Sequence, residues 1–198
     1  MDRPNKNVAR GEATRGQLIA IATRLFAERG YEDTSIEAVL REAGVSRGSL
    51  YHHFPGKEAL FEAVAEDVET SVGAQTLAAA SGSDGPVAAL RAGSLAWIRL
   101  AGDPVVRRIL LIDAPSVLGW ERWRTMDEGR TLGAMRMMLQ AVSDAGRLPA
   151  GLVDPFAHMI LAALDEITLV IARAPDSGAA VAEGRAAVEE LLSRLLRP

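Results

Sequence analysis

The segment of residues 34–58 reads TSIEAVLREAGVSRGSLYHHFPGKE and decides the fold prediction for this chain. Thr34, followed three residues later by Glu37, forms a capping-box pattern that predicts the start of a short helix. Gly44 is suited to end that helix, because glycine tolerates the left-handed backbone that helix C-termini commonly adopt. Ser46 is then a favourable N-cap for a second short helix. Two short helices joined by a glycine-containing turn of three to four residues predict a helix-turn-helix.

The second helix of this pair carries side chains that suit contact with DNA. Val45 and Leu50 fall where this helix must pack against the first one. An arginine can donate two hydrogen bonds to a guanine edge or a phosphate, and serine, tyrosine and histidine can donate to phosphate oxygens. In helix-turn-helix proteins the second helix lies in the major groove. The residues expected to face DNA are Arg47, Gly48, Ser49, Tyr51, His52 and His53.

This stretch and its surroundings, over residues 14–63, resemble the TetR family of transcriptional regulators. The resemblance rests on Thr34-Ser35-Ile36, on the continuous run 43–54, and on Lys57-Glu58. It implies a double-stranded operator as partner, with phosphates held by Thr34, Ser35, Tyr51, His52 or His53, and Lys57, and with bases approached by Arg47, Gly48 and Ser49. Lys57 also begins a predicted helix, where backbone N–H groups favour an anion. Leu40 stands where the family usually has alanine, which leaves the angle between the two short helices open.

Helical periodicity and the scarcity of strand signals predict an all-α chain of about nine helices. The first helix is expected to begin at a capping box formed by Thr14 and Gln17. The Asp-Pro pair at 103–104 predicts a later helix start, and the Ala-Pro-Ser sequence at 114–116 predicts the end of that helix. The predicted organisation is a disordered arm over residues 1–13, a helix-turn-helix DNA-binding domain over residues 14–56, and a helical effector-binding and dimerisation domain over residues 57–198.

Composition and charge narrow the classes of protein. The 198 residues include no cysteine, which excludes disulfides, thiolate zinc sites and thiol nucleophiles. The net charge is −4, yet residues 1–57 hold 9 basic and 7 acidic side chains whereas residues 58–198 hold 13 and 19. A mildly basic N-terminal part followed by an acidic remainder is compatible with DNA binding through the N-terminal part. No signal peptide is recognised, and the apolar stretch 159–172 is short and interrupted by Asp165 and Glu166, so we expect a cytoplasmic protein without a membrane partner.

Two predicted helices near the C-terminus carry long apolar stripes. They could simply close the core of a monomer. The resemblance to the TetR family instead implies that both helices form a four-helix interface in a homodimer. A two-fold protein also fits a pseudo-palindromic operator whose half-sites lie one helical turn, or a multiple of it, apart. The predicted interface consists of Phe156, Ile160, Ala163, Ile167, Val170, Ile171, Val188, Leu191, Leu192 and Leu195.

Aromatic and methionine side chains are concentrated in the middle of the chain, where all three tryptophans lie. Such side chains suit a pocket for a small apolar effector, and filling of such a pocket often releases DNA in the TetR family. A plain hydrophobic core is the alternative interpretation. The neighbouring Asp113, Arg107, Arg108, Asp165 and Glu166 are interpreted as charges on helix faces, and His158 as a satisfied core histidine. The candidate pocket residues are Trp97, Leu100, Leu110, Trp120, Trp123, Met126, Met135, Met138 and His158.

The residue patterns do not point to an enzyme. Gly48-Ser49 and Gly93-Ser94 do not form a nucleophile elbow, and neither a phosphate-cradling glycine-rich loop nor a metal-binding histidine pair is present. We therefore expect no catalytic residue, no metal and no cofactor. The predicted function is a DNA-binding transcriptional regulator, a repressor that a small apolar effector releases from its operator. The alternative is a dimeric DNA-binding regulator without small-molecule control.

Overall fold

The computed structural model describes residues 6–196, without the side chains of residues 6–9 and 126–130. The described residues form helices, turns and loops and no strand, which confirms the predicted all-α class. In chain order the elements are α1 (Lys6–Arg29), α2 (Ile36–Ala43), α3 (Arg47–His53), α4 (Lys57–Ser81), α5 (Pro86–Leu100), α6 (Pro104–Val106), a π-helix (Arg107–Asp113), α7 (Ala114–Val117), α8 (Trp120–Asp144), a 3-10 helix (Ala150–Leu152), α9 (Val153–Arg173) and α10 (Ser177–Leu195).

The N-terminal part of the fold is built around α1, which packs on α2, α3 and α4. Leu18 and Phe26 of α1, Leu50 of α3 and Phe61 of α4 are fully buried. The rings of Phe26 and Phe61 meet edge to face, with their centroids 5.2 Å apart. Aromatic pairs prefer this arrangement, so it fixes α1 against α4. α4 is 25 residues long, so it belongs to both the N-terminal part and the second part of the fold.

The start of α1 differs from the sequence prediction. The helix begins at Lys6, so residues 6–13 of the predicted disordered arm form its first turns, and residues 1–5 lie outside the described residues. The predicted capping box does not form, because the Thr14 hydroxyl donates to the carbonyl of Arg10 (3.0 Å) inside the helix. Gln17 instead donates to the carbonyl of Ala43 (3.1 Å) and ties α1 to the end of α2.

A continuous helical segment runs from Pro104 to Val117 and changes its hydrogen-bond register in the middle. The predicted start is confirmed, since Asp103 caps it by accepting from the N–H groups of Val105 (2.9 Å) and Val106 (3.2 Å). The predicted end at 114–116 is wrong, because the chain passes through Pro115 by way of the π-helix. That proline stands at the second position of α7 and has no N–H to donate.

The π-helix leaves one carbonyl group for a side chain to satisfy. The N–H of Ala114 donates to the carbonyl of Ile109, five residues back. The next donor in this register would be the nitrogen of Pro115, which has no hydrogen to give to the carbonyl of Leu110. The indole Nε1–H of Trp123 donates to that carbonyl instead (2.9 Å). Trp123 therefore fixes the start of α8 against the π-helix.

The second part of the fold is a bundle in which α4 packs along α5, α8 packs on α9, and α10 packs on both α5 and α9. Gly184 allows α10 to approach α9 closely: a Cβ there would lie 2.9 Å from Cγ2 of Ile167 and 3.0 Å from Cδ1 of Ile171. At the end of α9, the Arg107 side chain donates to the carbonyl of Ala172 (2.7 Å). Helix C-termini leave such carbonyls without a partner, so Arg107 caps α9 from the π-helix.

The helical stretch Ala150–Arg173 is long and apolar enough to cross a membrane by length and composition alone, with a mean hydropathy of 1.6 in its most apolar window. Core helices of water-soluble proteins pass the same test. Here Ile160, Leu164 and Ile171 are buried in the bundle, so part of this apolar surface packs within the protein.

Candidate DNA-binding surface

The turn between α2 and α3 has the conformation that its residues predict. Gly44 adopts the left-handed backbone (φ 64°, ψ 26°), and its N–H donates to the carbonyl of Leu40 (3.0 Å). The Ser46 hydroxyl accepts from the N–H of Ser49 (3.2 Å) and caps α3. Leu50 is fully buried and anchors α3 to the core. These contacts set the orientation of α3 and decide which of its residues face solvent.

Thr34 is not at the predicted surface. It is fully buried, and its hydroxyl donates to the carbonyls of Gly30 (2.8 Å) and Leu25 (3.2 Å) at the end of α1. The N-cap of α2 is Ser35, whose hydroxyl accepts from the N–H of Ala38 (3.1 Å). Thr34 therefore has a structural role between two helices, and Ser35 is the exposed residue at the start of α2.

Most of the α3 residues predicted to face DNA project into solvent. Arg47, Gly48, Tyr51 and His52 are exposed, and Tyr51 keeps 44% of its surface accessible. Ser49 and His53 are half-buried. Together these residues give α3 a solvent-facing side that offers hydrogen-bond donors, which suits contact with phosphates and base edges.

Arg47 is held by an ion pair across the helix-turn-helix. Its guanidinium contacts the carboxylate of Glu37 on α2, and both side chains are 60% exposed. Because water surrounds both groups, the pair is weak and can open. A phosphate or a guanine edge offers the guanidinium an alternative partner, since both accept two hydrogen bonds from arginine.

Lys57, the first residue of α4, lies over the loop between α1 and α2. Its Nζ donates to the carbonyl of Glu32 (3.1 Å) and stands 4.2 Å from the centroid of the Tyr31 ring. This cation–π contact restricts a side chain that is otherwise flexible. Lys57 is half-buried, and both contacts hold its ammonium group at the loop between α1 and α2.

Tyr31 connects this lysine to the hydrophobic core. Its ring meets Phe61 edge to face at 5.0 Å and stacks on Phe26 at 5.8 Å. Burial raises the pKa of the Tyr31 hydroxyl, and the negative charges of Glu58 and Glu32 raise it further. The ring therefore stays neutral at physiological pH and presents an apolar face to Lys57.

Sequence reasoning missed the role of Asp113, which it interpreted as a charge on a helix face. Asp113 ends the π-helix and is only 8% exposed. Its Oδ2 accepts from the backbone N–H of Tyr31 (2.8 Å) and pairs with Nε of Arg108 (3.2 Å). The Arg108 guanidinium lies against Gly30, where a Cβ would overlap it. The available signal was a single acidic residue directly after the apolar run 109–112.

The predicted pocket residues fall into different environments. Leu100, Leu110, Trp123 and Met135 are buried in the core, whereas Trp97 and Met138 are half-buried. Trp120 is exposed at 51% and lines an open surface cleft. His158 is exposed beside Arg136 (Nη2 to Nε2 3.5 Å), so the interpretation as a core histidine is wrong. The side chain of Met126 lies outside the described residues.

One buried polar group in this region has no protein partner. The hydroxyl of Ser94 on α5 is buried and makes no hydrogen bond within the described part of the chain. The preceding Gly93 faces α4 and α8, since a Cβ there would make ordinary contacts with the carbonyl oxygen of Thr76 (3.6 Å) and Sδ of Met138 (3.8 Å). Sequence reasoning weighed these two residues only as a nucleophile motif.

The predicted dimer residues divide by burial. Ile160, Ile171, Val188 and Leu192 are 2% exposed or less and belong to the core of the protomer, so their side chains cannot reach a partner. Phe156, Ala163, Ile167 and Leu195 are half-buried. Val170 (53%) and Leu191 (42%) are exposed, as is the neighbouring Met159 (63%). The surface available to a second copy is therefore narrower than the predicted stripe.

Among the side chains that the structure describes, no group of three or more histidine, aspartate or glutamate residues could hold a metal ion. The polar residues on the exposed faces of α2 and α3 are instead suited to hydrogen bonds with an anionic partner such as phosphate.

Comparisons with known proteins cover both parts of the fold. Residues 18–64 match the family described as bacterial regulatory proteins, tetR family, and residues 87–195 match the tetracyclin repressor-like C-terminal domain. A TetR-family transcriptional regulator from Pectobacterium atrosepticum has a similar structure, with a TM-score of 0.85 and 31% identity over 96% of this chain and 97% of that one. The transcriptional repressor Rv1474c of Mycobacterium tuberculosis is 29% identical over 75% of this chain and 79% of its own length.

Other curated regulators match over a smaller share of the chain. The regulator AcrR of Shigella flexneri is 37% identical over 73 residues, which is 37% of this chain and 33% of that protein. The match therefore spans about a third of the length of that relative.

Proposed function

The chain belongs to the TetR family of bacterial regulatory proteins, and we propose that it is a repressor that a small apolar effector releases from its operator. Regulators of this family bind operator DNA and dimerise. The observation that carries the proposal is the exposed face of α3, where Arg47, Tyr51 and His52 project into solvent beside the buried anchor Leu50. We assign no enzymatic activity to the chain, and a cytoplasmic location fits a partner that is chromosomal DNA.

In the proposed complex α3 enters the major groove, as second helices of this motif do. We assign base contacts to Arg47, Gly48 and Ser49. We assign phosphate contacts to the exposed Ser35 at the start of α2, to Tyr51, His52 and His53 at the end of α3, and to Lys57 at the start of α4. Thr34 is removed from this set because its side chain is fully buried.

Two substitutions test this assignment on operator fragments selected from genomic DNA. Lys57→Ala is expected to weaken binding to all sequences and to lower the slope of log affinity against log salt by about 1. Arg47→Ala is expected to cost about 1–3 kcal/mol and to relax the base preference at one position. Fluorescence anisotropy at several salt concentrations measures both effects. Unchanged affinity and slope in both variants would refute the proposed surface.

For the homodimer we propose that the exposed parts of α9 and α10 around Met159, Val170 and Leu191 pair with the same surface of a second copy. A two-fold assembly fits a pseudo-palindromic operator. Leu191→Glu places a charge in this apolar surface and is expected to yield monomers by light scattering. Glu189→Gln is the matched control, since Glu189 lies on the same helix but pairs with Arg91 of α5 (3.7 Å). A dimeric Leu191→Glu variant would argue against this interface.

The proposal of small-molecule control is supported by the buried Ser94 hydroxyl. A buried hydroxyl without a partner costs about 1–3 kcal/mol, and a ligand with one polar group among apolar atoms would satisfy it. Trp97 and Leu100 of the same helix and Met135 and Met138 of α8, all buried or half-buried, supply apolar side chains to this part of the fold. The alternative is a DNA-binding regulator whose second part only dimerises.

Tryptophan fluorescence, titrated with a panel of lipophilic compounds, separates these two functions. An effector is expected to change the emission and to lower operator affinity. Ser94→Ala is expected to weaken the response to that compound and to leave operator affinity in its absence unchanged. If every compound that binds leaves operator affinity unaltered, the regulator without small-molecule control is the correct function.

A further inference from the structure

We propose that Asp113, in the second part of the fold, is a positioning residue for the phosphate contact of Lys57 and acts through Tyr31. The inference rests on the proposed function, in which Lys57 binds a DNA phosphate. Three contacts carry it: Asp113 to the backbone of Tyr31, the Tyr31 ring to Lys57, and Arg108 to Asp113.

The first step is the hydrogen bond that α1 leaves open at its end. Gly30 adopts a left-handed backbone (φ 83°), and its N–H donates to the carbonyl of Phe26 (2.8 Å). This closes the helix with one backbone bond and leaves the next N–H, that of Tyr31, without a partner inside the helix. The carboxylate of Asp113 accepts from it at 2.8 Å, although the two residues are 82 positions apart in the chain.

The second step is the orientation of the Asp113 carboxylate itself. A buried carboxylate is stable only when charges and donors satisfy it. Nε of Arg108 lies 3.2 Å from the same Oδ2 that receives the Tyr31 N–H, and the guanidinium also covers Gly30. Asp113 and Arg108, which both belong to the π-helix, therefore fix the turn between α1 and α2.

The third step leads from Tyr31 to Lys57. The Tyr31 ring is fixed by Phe26 and Phe61 and lies 4.2 Å from Nζ of Lys57. The same ammonium group donates to the carbonyl of Glu32, the residue after Tyr31 (3.1 Å). Both partners of Lys57 thus belong to the loop that Asp113 anchors. Loss of the anchor frees the loop, so the Lys57 ammonium group is no longer held in place and its phosphate contact is lost in part of the bound molecules.

The test is operator affinity as a function of salt for Asp113→Ala, Lys57→Ala and the double variant. We expect Asp113→Ala to weaken binding about fivefold or more. We also expect it to lower the salt slope toward that of Lys57→Ala, because about 0.9 of the slope belongs to each phosphate contact. In the double variant the loss is expected to match that of Lys57→Ala alone. If Asp113→Ala lowers operator affinity by the same factor in the wild type and in the Lys57→Ala variant, the proposal is overturned.

Asp113→Asn and Asp103→Ala separate positioning from general destabilisation. Asp113→Asn keeps an oxygen for the Tyr31 N–H and is expected to retain most of the operator affinity and salt slope. This variant keeps the proposal testable if Asp113→Ala does not fold. Asp103→Ala removes the cap of α6, a carboxylate that bonds only within its own segment, and should leave the slope unchanged. Amide exchange at Tyr31 is expected to accelerate in Asp113→Ala but not in Asp103→Ala. Slopes that fall equally in the Asp103 and Asp113 variants would also overturn the proposal.

Failure of the proposed function has a different signature. If neither Lys57→Ala nor Arg47→Ala alters operator binding, the DNA-binding surface is wrong. If Arg47→Ala weakens binding as expected and Lys57→Ala does not, the surface stands and the role of Asp113 in phosphate binding is refuted.

Discussion

Glu37→Gln should strengthen operator binding, because in the free protein Glu37 occupies the guanidinium that we assign to DNA. The pair joins α2 to α3 across the helix-turn-helix, and Arg47 has to leave or share Glu37 when it meets a base or phosphate. Replacing the carboxylate by an amide keeps the size of the side chain and removes the competing charge. The substitution also removes one negative charge from a surface that faces phosphates.

The exposure of the pair sets the size of the effect. Both side chains are 60% exposed. Exposed ion pairs contribute about 0.2–1 kcal/mol, because water and salt screen them. If DNA binding has to break the pair completely, its removal is expected to raise operator affinity by about 1.4-fold to fivefold.

The assay is fluorescence anisotropy with a labelled operator, at low salt, for the wild type, Glu37→Gln, Arg47→Ala and the double variant. Asp33→Asn is the matched control, since Asp33 is also exposed near the start of α2 and loses the same charge. We expect Glu37→Gln to bind the operator more tightly than Asp33→Asn does. We expect Glu37→Gln to give no such additional gain in the Arg47→Ala background. Equal gains in the two amide variants would show that only the overall charge matters and would refute competition for Arg47.

Three further predictions concern stability. Gly30→Ala is expected to lower the free energy of unfolding by at least about 1–2 kcal/mol in urea titrations, because φ is 83° there and the new Cβ displaces Arg108. Tyr31→Phe tests the raised pKa of the Tyr31 hydroxyl. Because the folded state favours the protonated hydroxyl, its contribution to the free energy of unfolding is present below pH 10 and is lost as the pH rises through the folded-state pKa. The wild type should therefore lose stability relative to Tyr31→Phe as the pH rises above 10, and parallel curves would contradict the prediction. Ser46→Ala is expected to cost about 1 kcal/mol by loss of the α3 cap, whereas an exposed serine without a capping bond would cost almost nothing.

The helix-turn-helix could be predicted because its determinants are local. Gly44, Ser46 and Leu50 each act within one or two turns of the chain, and the structure has all three in the expected roles. The N-cap of α2 was assigned one residue too early, since Thr34 and Ser35 are both good capping residues. Only the packing of α1, which buries Thr34, decides between them.

Features that depend on distant packing were not accessible from periodicity. α9 is apolar on nearly all sides, so the pattern cannot tell which stripe meets α8 and α10 of the same protomer. Ile160 and Ile171 were therefore assigned to a dimer although they are buried inside one chain. The bond between Asp113 and Tyr31 spans 82 positions and has no local signature. The passage of a helix through Pro115 likewise depends on a tryptophan in the next helix to complete the backbone hydrogen bonding.

The neighbouring arginines of the π-helix limit how this sequence can diverge. Arg107 donates to the carbonyls at the end of α9, and Arg108 contacts the turn after α1. Two consecutive side chains therefore contact different neighbouring segments. Deleting or inserting one residue between Pro104 and Asp113 would turn both side chains toward the wrong partner. Among relatives of this protein we expect the loop 82–85 to vary in length, while the segment 104–113 keeps its length even where its apolar residues are exchanged.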